Sequence, residues 1–238
     1  MNRTTFNADF NINDMKLYHF TSFSTFIKIW HTKSLLFQPY NNVNDCLERS
    51  KFVKVQDFSD ESMNKLNELD NQLATFKQIS LMIDYSENVK GFMSTMMWGH
   101  YGDKGYGVCI EIDSDKLDLS DMIIKRGIIH YSLDIKPPTL QKEDNILTFI
   151  DTYSDYFFFQ KTKEWEGENE YRLISCSQAK IDIKDAISAV YMFGYDRPET
   201  QTVLQLVGEN ILHVVMADRM ANDLSYPIIA FKWKDIGK

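Results

Sequence analysis

"KLYHFTSFSTFIKIWHTKSLLF", residues 16–37, packs three elements into one short span. Leu17-Tyr18-His19-Phe20 is an apolar run interrupted by one imidazole and reads as a strand. Thr21-Ser22 then offer helix N-cap hydroxyls. Phe23, Phe26, Ile27 and Trp30 recur at helical spacing, which predicts a helix over 22–32. Residues 34–38 return to a strand. His19 therefore stands near a strand-to-helix junction, where a polar side chain and free backbone donors meet a ligand readily.

Further along, "PYNNVNDCLE" is turn-rich and opens a short helix near Asp45. Residues 59–84 carry Met63, Leu66, Leu69, Leu73, Phe76, Ile79 and Ile83 on a common helical face, so one long helix is expected there, as an insertion or a lid. The segment "VKGFMSTMMWGHYGDKGYGVCIEIDSDKL" reads as a strand over 91–95, a helical turn over 96–101, a glycine-loosened loop and a strand over 108–112. Another strand is expected over 123–131, and a helix rich in Phe and Tyr over 145–161. Short strands over 170–176, 189–193, 212–215 and 228–233 follow, with a helix at 198–206. Strands and helices without regular βαβ spacing predict an α+β fold with a mixed or mainly antiparallel sheet. Residues 1–16 read as an N-terminal lead-in and 17–238 as a single domain.

The formal charge of −8 argues against duplex binding driven by bulk charge. Three cysteines, Cys46, Cys109 and Cys176, are odd in number and widely spaced, which fits free thiols in a reducing compartment. CxxC and HExxH are absent, which weighs against a structural zinc or zincin site. The N-terminus lacks the apolar core of a signal peptide, and no run reaches the roughly 20 apolar residues of a membrane span. The expected setting is the cytoplasm, with no membrane partner. Gly105-x-Gly107 precedes a strand instead of following one, so it is not a dinucleotide fingerprint.

Three clusters carry chemistry. His19-Phe20-Thr21-Ser22 is the first. Ser94, Trp98, His100 and Tyr101 form the second. "KTKEWEGENEYRLISC" supplies the third, with Glu168, Glu170 and Arg172. Glu170 and Arg172 share one strand face by period two. Each has a plainer reading: His19 as a half-buried histidine, Trp98 as core, the Glu/Arg set as a strand-face salt bridge, and Asn44, Asp45 and Glu48 as an Asx-type cap.

Taken together, "LYHFTS…IKIWHTKSLLF…VND", "FMSTMMWGHYGDKGYGVCIEID" and "KEWEGENEYRLI" resemble the bacterial family catalogued as domain of unknown function twenty-nine seventy-one, from about Leu17 to Gly194. Its MWxxY and WxxExExR motifs fall here on Met97, Trp98 and Tyr101, and on Trp165, Glu168, Glu170 and Arg172. Cys46 stands where that family has proline, and Ser94 lies closer to Met97-Trp98 than the family's serine does. At longer range, the order of His in a first strand, an aromatic in a middle unit and Glu opening a late strand resembles H-Y-E type ADP-ribosyltransferases, the DNA-targeting toxin type included.

That second resemblance implies an ADP-ribosyltransferase-like sheet arrangement with flanking helices, and NAD as substrate without a metal. It implies cleavage of the nicotinamide–ribose bond and transfer to a nucleic acid or protein acceptor, in a toxin or phage-defence setting with an antitoxin or defence-system partner. Glu170, with Glu168 as its alternate, would stabilise the oxocarbenium-like transition state. His19, Thr21 and Ser22 would hold ribose or phosphate oxygens, Ser94 would join them, Trp98 or Tyr101 would stack on nicotinamide, and Arg172 would pair with phosphates. Two further readings use the same residues: a nucleotide- or partner-binding sensor without turnover, and a metal-dependent nuclease on Asp45, Glu48, Glu168 and Glu170.

Overall fold

Lys16–Thr21 is a strand, as expected, and it lies near the middle of a nine-stranded sheet. The computed structural model describes residues 15–49, 51–117, 119, 125–177, 179–193 and 197–207, together with the backbone of the strands Val214–Asp218 and Ile229–Lys232. The main path runs Ile229–Lys232, Val214–Asp218, Ile187–Phe193, Val108–Asp113, Lys16–Thr21, Lys77–Ile83, Glu170–Ser175 and Lys125–Ile128, and Gln38–Pro39 adds to Lys77–Ile83. Among these pairings one is parallel, Ile187–Phe193 with Val214–Asp218; the others are antiparallel. The fold is α+β. Among the described residues, no helix is long and apolar enough to cross a membrane.

Alternation along the strands builds two apolar layers. Leu17, Ile79, Leu81, Ile110, Leu173 and Val190 share one face, covered by Phe26 and Ile29 of the helix Phe23–Thr32 and by Val203 and Val207 of Pro198–Val207. Ser22 caps the first of these helices, accepting from the Thr25 amide at 3.3 Å, and Lys33 closes it in the left-handed region at φ 51°. On the other face, Tyr18, Phe20 and Met82 meet Phe92, Met97 and Trp98. Beside them Phe149, Tyr156, Phe157 and Phe158 pack with Ile174. A fully buried side chain of this size contributes about 1.5–3 kcal/mol, so these layers dominate the stability.

Several expectations are corrected. The helix expected over 59–84 covers only Asp60–Leu73, and Lys77–Ile83 is an inner strand of the sheet. The run "FKQISLMI" contains Ile79, Leu81 and Ile83 at period two as well as near-helical spacing, and burial on both sheet faces favours the extended form. Residues 91–93 form a 3-10 turn, not a strand, because the chain crosses the Tyr18 ring there. The helix expected over 145–161 is broken into Ile146–Thr152 and Ser154–Phe158, and Gln160–Thr162 is a strand. The strand expected over 34–38 is split into Ser34–Leu36 and Gln38–Pro39. The one expected over 123–131 becomes Lys125–Ile128 and His130–Ser132. Residues 1–14 of the lead-in, and Gly194, lie outside the described residues.

Gly91 makes the crossing of the Tyr18 ring possible. A Cβ there would overlap the ring of Tyr18, which is buried. Gly91→Ala is expected to lose about 1–3 kcal/mol to overpacking, read from urea denaturation.

One irregularity of the sheet positions the site. Lys16–Thr21 is paired along its whole length with Val108–Asp113. With Lys77–Ile83 it pairs only at Leu17↔Ile83 and Tyr18↔Met82. Beyond that seam the two strands part. On the same edge of the inner strand, pairing resumes only at Gln38↔Gln78 and Pro39↔Lys77. His19–Thr21 and Ile79–Leu81 are thus left without ladder partners across the gap.

Candidate functional site

A cleft of about 800 Å³ fills this gap. His19 and Phe20 line one wall and Gln78 to Met82 the other. Tyr101, Lys161, Glu168 and Glu170 close one end, while Lys28 and Lys180 also reach it. The strand periodicity sends His19 and Glu170 to opposite faces of the sheet, because Tyr18, Met82 and Glu170 are in register on one face. A cleft between parted strands takes in residues of both faces.

The carboxylates are placed by a turn. Asn169, at φ 40°, ends the 3-10 segment Lys163–Glu168 in the left-handed region and starts Glu170–Ser175. Its side-chain amide donates to the Ile83 and Asp84 carbonyls at 3.1 and 2.9 Å, which pins the turn to the end of the inner strand. Glu168 and Glu170 leave either side of that turn, and both are buried.

Lys161 joins them. Its ammonium lies 2.6 Å from Glu168 Oε2, 2.7 Å from Glu170 Oε2 and 3.5 Å from Glu48 Oε2. It also stands 5.7 Å from the centre of the Trp165 ring. Arg172 is fully buried and holds Glu170 through two bonds, Nε to Oε1 at 2.7 Å and Nη2 to Oε2 at 2.9 Å. Its Nη1 donates to Glu48 and to the Phe158 carbonyl. Three carboxylates thus share two cations. Burial alone would raise the Glu170 carboxyl, but Arg172 and Lys161 outweigh it and hold the group down, to about 2. The same carboxylates, Glu170 foremost, raise Lys161 against its own desolvation.

Tyr101 connects this network to the cleft. Its hydroxyl donates to Glu168 Oε1 and accepts from Asn44 Nδ2 at 3.0 Å. Burial, then the Glu168 charge, push its hydroxyl above the usual range, so it remains a proton donor. The half-buried His19 is lowered to about 4 by desolvation and is neutral at pH 7. Gln78 brings a buried acceptor to the wall, since its Oε1 has no hydrogen-bond partner among the described residues.

These shifts set an acid limit. His19 falls from an ordinary 6.5 to about 4 on folding, so between those values the unfolded chain binds the extra proton. Its contribution is complete above 6.5 and is lost as pH falls towards 4. Glu170 acts in the same sense lower down, from 4.5 to about 2. Urea midpoints measured at several pH values are expected to fall through the upper window, and to fall less in His19→Gln.

Of the residues singled out in the sequence, His19, Tyr101, Glu168 and Glu170 meet in one cleft. Thr21, Ser22, Ser94, Trp98 and Arg172 do not line it. Thr21 is buried, and Ser22 is committed to its helix cap. Ser94 likewise caps Thr95–His100 through the Met97 amide at 3.3 Å. Trp98 donates to the Phe92 carbonyl at 2.7 Å and packs edge-on against Phe20 at 5.1 Å. Arg172 is enclosed by its carboxylates, so it is a support and not a phosphate contact. His100 and Asn44, by contrast, do line the cleft. The sequence reading missed Lys161, which it placed as the last residue of a helix. Gln160, Lys161 and Thr162 are all polar, so no local signal marked it.

Among the described residues, no group of three or more His, Cys, Asp or Glu is arranged to hold a metal ion. The Lys161 ammonium occupies the space between Glu48, Glu168 and Glu170 that a divalent cation would need.

Residues 97–173 match the model of a family described as Protein of unknown function (DUF2971). The match opens on the Met97-Trp98 pair and closes just after Arg172, so it spans Tyr101, Lys161, Glu168 and Glu170 but not His19. No curated protein and no solved structure matches the chain.

Proposed function

We propose that the cleft takes NAD as substrate and cleaves its nicotinamide–ribose bond, in the manner of an ADP-ribosyltransferase. The observation that supports this most is the meeting of His19, Tyr101, Glu168 and Glu170 in one space of dinucleotide size. Neutral His19 both donates and accepts, which suits a pair of ribose hydroxyls. Tyr101 offers a ring face for nicotinamide. As the C1′–N bond breaks, nicotinamide leaves neutral with the electron pair, and positive charge develops on the ribose carbon. Glu170, kept ionised and immobile by Arg172 and Lys161, is the fixed charge that faces it. Glu168, bonded to Tyr101, is the group that accepts a proton from the incoming nucleophile. That nucleophile is a nucleic-acid or protein group, or water. A toxin or phage-defence role, with a cognate partner, rests on analogy alone.

The carboxylates are largely neutralised by their own cations, and that observation favours a second reading, a nucleotide-binding sensor without turnover. Nicotinamide release from NAD by the purified chain separates the two. Release that is lost in the Glu168→Gln/Glu170→Gln double variant supports cleavage. NAD binding without release, with candidate acceptors present, supports the sensor.

A further inference from the structure

A dinucleotide brings two phosphates, and Arg172 is closed off from them. The cleft has other cations. Lys161 is saturated by three carboxylates. Lys28 and Lys180 both line the cleft, both are exposed, and neither forms an ion pair among the described residues. They come from different elements. Lys28 lies on the helix Phe23–Thr32, on the stripe that also brings Thr25 and Thr32 to the cleft. Lys180 opens the strand Lys180–Asp182, where it pairs with Leu36, another lining residue.

Their place along the slot is informative. Glu170 is in register with Met82 at one end of the inner strand. Leu36, which brings Lys180, lies two residues before Gln38, which pairs with Gln78 at the other end. Met82 and Gln78 are four residues apart, or about 13 Å of extended chain. The cleft is therefore bipolar, with carboxylates at one end and the Lys180 ammonium towards the other, while Lys28 lines it from the helix. In a chain of formal charge −8, two cleft-lining lysines are set against the background field. Gln78, whose buried Oε1 has no partner among the described residues, lies at the Lys180 end.

We infer that Lys28 and Lys180 are the diphosphate site of the cleft, fixing a nucleotide with its reacting ribose at the carboxylate end. The inference rests on the nucleotide reading given above and deepens it. The lysines act as point charges that follow two flexible phosphates, and Thr25 and Thr32 line the cleft on the same helix stripe as Lys28.

Calorimetry of the full chain with ADP tests this. The native protein is expected to bind ADP, and adenosine at least about ten-fold more weakly. Lys28→Ala/Lys180→Ala is expected to weaken ADP about ten-fold or more, while Lys28→Arg/Lys180→Arg keeps most of the affinity. Added salt is expected to weaken ADP and leave adenosine nearly unchanged. Both lysines are exposed, so the variants retain the fold, and thermal melts check it. Equal ADP affinity in the native and double-alanine proteins overturns the inference, as does adenosine binding as tightly as ADP. Failure of the native protein to bind either ADP or NAD overturns both this inference and the NAD reading. Lysine-dependent ADP binding without nicotinamide release leaves the diphosphate site standing and removes only the cleavage reading.

Discussion

Glu170→Gln is expected to slow nicotinamide release from NAD by about 10²–10³-fold while leaving NAD affinity within a few fold. Gln keeps the shape and removes the charge. The loss falls on the step in which positive charge develops, so kcat drops and KM changes little. Glu168→Gln is expected to do less to release into water and more to transfer onto an acceptor, because its proposed task is to take the nucleophile's proton. Steady-state assays of released nicotinamide and of acceptor labelling separate the two roles. If Glu168→Gln abolished release and Glu170→Gln left it intact, the assignment would be reversed. Glu170 would then be a strut that holds Arg172. Circular dichroism at matched temperature shows whether either variant is merely misfolded.

Arg172→Met is expected to be the most damaging single change to stability. The guanidinium is fully buried and bonded to Glu170, Glu48 and the Phe158 carbonyl. Its removal leaves Lys161 alone with three buried carboxylates. Breaking such a network by taking one partner away costs about 3–5 kcal/mol. For a chain of this size that is a fall in Tm on the order of 10 °C, measured by calorimetry. Adding Glu48→Gln to Arg172→Met removes one of the stranded charges and is expected to recover part of the loss. A double variant as unstable as the single one would show that packing of the Arg172 stem, and not charge, carries the effect.

How much of this was legible in the sequence depended on the range of the forces involved. Lys16–Thr21 and the helix after it were readable because a local apolar pattern and a capping serine agree. Lys77–Ile83 was not, because Ile79 and Ile83 also fit a helical stripe that begins at Met63. Only pairing with Glu170–Ser175, remote in sequence, decides for the strand. The site divides in the same way. His19, Tyr101, Glu168 and Glu170 could be named from residue type and motif order. Their neighbours Lys161, Lys28 and Lys180 could not, since nothing local distinguishes a lysine in a cleft from one on an outer surface. The reverse error came from Ser22, Ser94 and Arg172. Each has the chemistry of a ligand contact, and each is occupied by the protein itself, two in helix caps and one in an ion network.

The two-residue seam between Lys16–Thr21 and Lys77–Ile83 also has a mechanical meaning. A wide sheet bends most easily where the fewest hydrogen bonds cross it, so the molecule has a natural crease there. The crease runs into the apex of the slot, and the angle at which its two plates meet sets how far the walls stand apart. Leu17 and Ile83 sit at that crease behind the lining, clamped by the apolar layer. Changes in their volume would thus adjust the gape of the slot, and with it the thickness of ligand it grips, without altering one atom that a ligand touches.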